Sequence, residues 1–317
     1  MTTADSTAAP YTAQDWPIAA AMLPFGGTDS RGGPIQDAAP EEWARHLRIV
    51  RRIGFTEVDP TDTWVRIGDL EPGRLEEVRA VLGDVGLTIP AVSTSRRSVM
   101  DPAHGKEYLA YSHRLLDAAA ALDTPMVSFG FFQAFTPAQR EALWFWLADG
   151  WQDDESPEVR ALAASRIREL AEHAAGNGQQ ISLEMYEDTY VGTCDSAVDF
   201  LAEVDHPACG LNPDIGNFIR LHRPIEPVPQ MLEKVLPHAN YWHVKNYLRD
   251  EDPASGTVTT FPVPMDMGLI NYRNAIARAL ELGFRGAFLC EHYGSDSLGV
   301  IAKNNTYIRD ILRDVLD

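Results

Sequence analysis

The sequence predicts an α/β protein folded as one (β/α)8, or TIM, barrel, and three observations carry that prediction. Short apolar, β-rich runs alternate with amphipathic stretches along the chain, the order expected where parallel strands are joined by helices. Four of the later runs end in an acid or an imidazole: Glu184, Asp214, His243 and Glu291. The 317 residues also suit a barrel of about 250 residues that carries loop insertions.

Eight strands are expected near residues 18–25, 56–61, 88–93, 125–131, 180–185, 208–213, 240–247 and 286–292, each followed by a helical segment. The first helix opens at Pro40 and stops at Gly54, as proline at a helix start and glycine past its end favour. The third, Gly105 to Leu122, repeats Leu109, His113, Leu116 and Ala120 at helical spacing. The seventh, Tyr272 to Leu282, ends at Gly283. The barrel domain is expected over residues 16–317. Residues 1–15, rich in Ala and Thr, are expected to form a disordered or loosely packed arm. They have neither the basic nor the apolar region of a secretory signal.

Two segments interrupt the alternation. A long insertion after strand four, residues 132–179, follows Phe131 and contains Leu143-Trp144-Phe145-Trp146-Leu147, a composition expected of a functional loop or an interface. The stretch Asp250 to Met267 is expected as an irregular loop over the barrel mouth.

With 27 Lys and Arg against 46 Asp and Glu, a net charge of −19, the chain lacks the cationic surface that phosphate backbones and anionic membranes require. Nucleic acid and membrane are therefore excluded as partners. Cys194, Cys209 and Cys290 have no CxxC spacing, which excludes a zinc ribbon or disulfide framework and points to the reducing cytoplasm.

In a closed barrel the strand ends converge on one face, so residues about 30 apart in sequence meet around one point. A single acid at a strand end is more often a helix cap or an ion-pair partner. Asp214, within Asn212-Pro213-Asp214-Ile215-Gly216-Asn217, also suits a plain turn, and His243 suits a satisfied core position. Four such residues at four successive strand ends favour a metal site. Three carboxylates and one imidazole suit Mn²⁺, Mg²⁺, Co²⁺ or Zn²⁺. Glu184 and Glu291 would then flank a substrate carbon and move protons on opposite faces. Lys245, two residues beyond His243 on the same strand face, fits either a charge beside a developing oxyanion or an ion pair with a neighbouring acid. Asn217 and Asn246 are candidates for orienting substrate hydroxyls, Trp64 for an apolar wall, and His292 for a group near the mouth. Loop hydrogen bonding or core packing accounts equally for each of these four.

The motifs Leu183-Glu184, Asn212 to Asn217, Trp242-His243-Val244-Lys245-Asn246 and Leu289-Cys290-Glu291 resemble the sugar phosphate isomerase/epimerase-like, or xylose isomerase-like, TIM-barrel superfamily. That resemblance implies that Glu184, Asp214, His243 and Glu291 bind Mn²⁺ or a similar ion, with the two glutamates as the acid/base pair. Many keto-sugar epimerases of the superfamily have histidine where this chain has Asn217 and aspartate where it has Asn246. The aromatic insertion is similar to that of the catalytic α subunits of bacterial C-glycoside deglycosidases. This implies a lyase acting on 3-oxo-C-glycosides, working with a small β subunit in a hetero-oligomer. The alternative is a metal-dependent keto-sugar isomerase or epimerase acting through an enediolate.

Overall fold

The computed structural model describes residues 11–294 and 296–316. Eight parallel strands form the barrel: β1 (Ile18–Ala21), β2 (Glu57–Asp59), β3 (Val92–Ser93), β4 (Met126–Phe129), β5 (Gln180–Glu184), β6 (Cys209–Asn212), β7 (Trp242–Val244) and β10 (Phe288–Cys290). They pair as two four-stranded sheets, β2-β1-β10-β7 and β3-β4-β5-β6. Parallel bridges from Glu57 to Thr88 and from Leu211 to Ala239 close the ring. Every expected strand is present but shorter than its apolar run, which extends beyond the paired residues at one or both ends.

Successive strand residues point to opposite faces. Ile18, Ala20, Trp242, Val244, Phe288 and Cys290 face outward into the main core, against the helices. Ala19, Ala21, Ala91, Tyr241, Ala287 and Leu289 form a small inner cluster. Those inner alanines leave the barrel axis free for polar side chains, and Asp59, Ser93, Ser128, Ser182 and Asn212 are all buried.

The helices are α1 (Pro40–Arg52), α2 (Pro72–Val85), α3 (Gly105–Ala121), α4 (Pro137–Glu141), α5 (Pro157–Gly176), α6 (Cys194–Val204), α7 (Gly216–Ile219), α8 (Val228–Val235), α9 (Tyr272–Glu281) and α10 (Ser297–Leu316). Helix α1 buries Trp43, Leu47 and Val50 and ends before Gly54, whose φ of 100° glycine adopts freely. In α3 the buried face is Tyr111, Ser112, Leu115, Leu116, Ala118 and Ala119, so the expected stripe is rotated about the axis. His113 points away to bond His173 of α5. Among the described residues no helix is long and apolar enough to cross a membrane.

Three expectations are corrected. Within 132–179, α5 is the ordinary barrel helix of its unit, which leaves residues 132–156 as the true insertion. The segment after β7 is an antiparallel hairpin, β8 (Asn246–Glu251) with β9 (Val258–Val263), registered from Asn246↔Val263 to Glu251↔Val258. Its alternating residues were masked by the Asp252-Pro253-Ala254-Ser255-Gly256 turn. Most of the expected arm lies outside the described residues, but Tyr11 packs on Trp16 and the Ala13 carbonyl accepts from Arg309, so residues 11–15 are held against the barrel.

The insertion folds back over the mouth. Trp146 meets Tyr247 and Tyr293 edge-on, with ring centroids 5.5 and 5.7 Å away. Beneath it the Arg220 guanidinium, fully buried, lies against Phe145, Trp146 and Tyr186 at 4.8, 5.1 and 5.2 Å. Its Nη2 donates to both Glu187 oxygens at 2.8 Å. Removing one partner of a buried ion pair leaves an uncompensated charge, at a cost of about 3–5 kcal/mol. Glu187→Ala is therefore expected to lower unfolding stability by about that amount, read from the denaturant midpoint and slope. A midpoint equal to the parent's would show that this pair does not anchor the roof.

Candidate metal centre

Alternation along the strands sets the site. Glu184 is the last residue of β5, Asp214 follows β6 by two residues, His243 is the middle of β7, and Glu291 directly follows β10. All four are buried. His243 Nδ1 lies 3.4 Å from Glu184 Oε2, 3.7 Å from Glu291 Oε2 and 3.8 Å from Asp214 Oδ2. One oxygen or nitrogen from each of Glu184, Asp214 and His243 falls within 4.8 Å of the others. Ligands about 2.1 Å from one ion stand roughly 3–4 Å from each other, so this trio fits a small divalent cation.

Two buried atoms face the point that the trio surrounds. Neither His243 Nδ1 nor Asp214 Oδ1 has a hydrogen-bond partner, and orphaned buried polar atoms are rare unless a ligand or ion completes them. The imidazole is also in the form a cation needs. Burial holds the His243 pKa down to about 3, so the ring is neutral. Ser93 Oγ lies 2.6 Å from Asp59 Oδ2 and donates to it, so at 3.1 Å from His243 Nε2 it must accept the Nε2 proton. The Nδ1 lone pair is thereby left facing the carboxylates. This is the outer-shell carboxylate support that orients ligating histidines. Tyr241 adds its hydroxyl to Asp59 Oδ2 at 2.8 Å, and Asn212 accepts the His243 backbone N–H at 2.8 Å.

Lys245 Nζ bridges Asp214 Oδ2 at 2.6 Å and Glu291 Oε2 at 2.8 Å. The ion-pair alternative accounts for this lysine, and the expected place beside a substrate oxyanion does not. It is absent from the residues that line the cavity over the centre. Gly216 makes the bridge sterically possible, because a Cβ there would come within 2.6 Å of Lys245 Cγ. The lysine also divides the carboxylates. Burial raises Glu184 well above its usual range, with Asp214 adding to the rise. Burial pushes Glu291 up as well, but Lys245, His243 and Tyr293 together outweigh it and the pKa falls to about 2. Asp214, pushed up by burial and held down by Lys245, sits at about 6. Glu291 thus stands beside the metal trio, within reach of His243 and paired to the lysine.

The expected substrate-binding residues are corrected. Asn246 Nδ2 donates to the carbonyls of Met265 and Ile270, and its Oδ1 accepts from the backbones of Tyr247 and Ile270. It is a buried loop clamp with no capacity left for a sugar. Trp64 Nε1 donates to His46 Nδ1 at 3.0 Å, and neither Trp64 nor His292 lines the cavity over the centre. His292 borders a separate surface cavity with Pro24 and Asp296. Asn217 Nδ2 donates to the Met185 carbonyl at 2.9 Å and lies 3.4 Å from Glu184 Oε1, so it steadies that glutamate.

The cavity over the centre measures 50 Å³ and is walled by Ser93, Thr94, Arg96, Phe132, Tyr186 and Tyr293 together with Glu184, His243 and Glu291. Ser93, Asp59 and Arg96 were missed in the sequence although they obey the same strand-end rule: Asp59 closes β2, Ser93 closes β3 and Arg96 follows it by three residues.

A family model described as xylose isomerase-like TIM barrel matches residues 47–313. The chain is similar, over 97% of its length and 100% of the other, to a xylose isomerase-like TIM barrel protein from Mycobacterium smegmatis solved in complex with magnesium, at 52% identity and a TM-score of 0.94. A 3-keto-D-glucoside 4-epimerase from E. coli shares the fold with a TM-score of 0.63, at 15% identity over 93% of this chain and 100% of that one. A 3-dehydroshikimate dehydratase from Bacillus anthracis is 28% identical over 132 residues, or 39% of this chain; the match spans 46% of that relative's length.

Removing an outer-shell partner of a metal-bound histidine typically weakens metal binding about 10- to 100-fold. Ser93→Ala is expected to do so for Mn²⁺ or Mg²⁺, measured by calorimetric titration of the metal-stripped protein. Affinity equal to the parent's would remove Ser93 from the metal site.

Proposed function

We propose a reaction from one premise: this chain belongs to the xylose isomerase-like TIM barrel family, whose model matches residues 47–313. The reading supported best is a divalent-metal-dependent lyase that breaks the carbon–carbon glycosidic bond of a 3-oxo-C-glycoside. The observation that carries it is the pair of buried glutamates on either side of His243, whose Nδ1 lies 3.4 Å from Glu184 Oε2 and 3.7 Å from Glu291 Oε2. Two carboxyls facing one centre are the arrangement that proton transfer on either side of a substrate carbon requires.

A divalent cation, Mn²⁺ or Mg²⁺, bound by Glu184, Asp214 and His243 would place positive charge beside the sugar ketone. One of the two glutamates, Glu184 or Glu291, takes the proton from C2 beside the ketone at C3. The C2–H electron pair moves into an enolate. As the C3 carbonyl re-forms, a C1–C2 double bond is made and the C1–aryl bond breaks with its electrons on the aryl carbon. The other glutamate, in its acid form, gives that carbon its proton. The products are the free aglycone and an unsaturated keto-sugar, with no oxidant or reductant consumed.

A second reading, a keto-sugar isomerase or epimerase, uses the same pair and returns the proton to carbon. The shared fold of the E. coli 3-keto-D-glucoside 4-epimerase favours it. Exposed Leu143, Leu147 and Trp151 on the insertion, with Leu248 and Phe261 on the hairpin, support the partner subunit expected of the lyase. Three buried free cysteines support a cytoplasmic location.

Metal-loaded protein, with and without a small partner subunit, is expected to release aglycone from a 3-oxo-C-glucoside. Uptake of solvent deuterium with the carbon–carbon bond intact would instead establish the epimerase. In either reaction Glu184→Gln and Glu291→Gln are expected to reduce turnover by about a hundred- to ten-thousandfold, with thermal unfolding unchanged in type. Parent rates in either variant would end the proton-transfer assignment.

A further inference from the structure

Next to the metal cavity, and sharing Arg96, Phe132 and Tyr186 with it, lies a second cavity of 260 Å³. Its walls add Phe131, Trp146 and Trp151 to those rings, and Gln133 and Gln139 supply amides. The cavity over the centre is small, so a substrate larger than its reacting edge extends beyond it. Two cavities adjoin it: one shares Leu23 and Tyr293 with it, and the one that shares Arg96, Phe132 and Tyr186 is the one walled by aromatic rings.

The charges on that wall are uneven. Arg223 is paired with Asp188 at 2.9 Å, and Arg220 behind it with Glu187. Among the described residues Arg96 has no carboxylate partner, although Asp149 and Asp188 also border the cavity. Its guanidinium lies 3.6 Å over the Phe135 ring, donates to the Gln133 carbonyl at 3.1 Å and donates to the Tyr186 hydroxyl at 2.9 Å. A guanidinium has five N–H donors, so several stay available. Arg96 also has a φ of 57°, the left-handed region that non-glycine residues seldom occupy. Such strain persists where the surroundings over-determine it, and it clusters at ligand clamps.

We infer that this second cavity is a substrate subsite for an anionic aromatic ring, with Arg96 as its counter-charge. The walls present ring faces, and the volume lies just below the range of drug-sized pockets, which matches a single ring. A stacked, unpaired guanidinium selects planar anions over neutral rings. This deepens the proposed function, since it rests on the metal centre as the place of chemistry, and it assigns the non-sugar part of the substrate to a phenolate or carboxylate-bearing ring.

The test uses metal-loaded, full-length protein and two sugar-free probes, benzenesulfonate and benzyl alcohol, followed by calorimetry and by quenching of Trp146 and Trp151. Benzenesulfonate is expected to bind about tenfold tighter, the scale of one charge-assisted hydrogen bond. Arg96→Met should abolish that preference while leaving benzyl alcohol unaffected, Arg96→Lys should keep part of it, and Trp151→Ala should weaken both probes. No saturable binding, a preference that survives in Arg96→Met, or indifference to Trp151→Ala each overturns the subsite. The probes contain no glycosidic bond. Failure of lyase activity with the preference intact therefore counts against the reaction alone, and loss of the preference with aglycone release intact counts against the subsite alone.

Discussion

Glu184, Asp214 and Glu291 are buried together at the barrel mouth, and Lys245 is the ammonium that faces two of them. Removing a carboxylate from water carries an effective penalty of several kcal/mol unless charge and hydrogen bonds replace the lost solvation. One lysine cannot do this for three acids. The remainder must come from protonation, which Glu184 follows, or from a cation at the point the trio surrounds. The other features of the mouth answer to this imbalance. The Asp59–Ser93 relay fixes the imidazole as a neutral lone-pair donor, and Gly216 leaves room for the lysine stem.

The same imbalance explains why the insertion is aromatic. Charge stabilisation at a buried centre is stronger where water is excluded. Phe132, Tyr186 and Tyr293 wall the cavity without offering solvent, and Trp146 closes over Tyr293 from the insertion. A roof made only of rings would be held by packing alone. Arg220, clamped by Glu187 and covered by Phe145, Trp146 and Tyr186, ties it to the segment after β5 that also carries Glu184. Roof and ligand therefore share one anchor.

The barrel was legible in the sequence because eight apolar runs and their helices recur at regular intervals, and strand ends in such a fold converge by geometry. The metal trio followed from that convergence. What the sequence hid were choices made by contact. Asn246 and Asn217 look like sugar ligands by position, yet backbone groups claim the whole amide of Asn246, and the Met185 carbonyl and Glu184 claim the Asn217 Nδ2. Trp64 faces His46 because α1 lies behind it, a fact no spacing contains. The hairpin was concealed by its own turn composition. Asp59 and Ser93 were readable by the rule that found His243, but short β2 and β3 runs carry little apolar signal, so their ends attracted no attention.

Lys245 shows how one position on a strand sets the chemistry of its neighbours. It follows His243 by two residues, so the pleat turns both inward, and the lysine reaches the acids of β6 and β10 and leaves that of β5 alone. The asymmetry between Glu291 and Glu184 is therefore a consequence of strand order: β7 lies between β6 and β10 in the closed ring, and β5 is one strand further away. An ammonium on β7 therefore pairs directly with its two flanking carboxylates and leaves the more distant one without an ion pair.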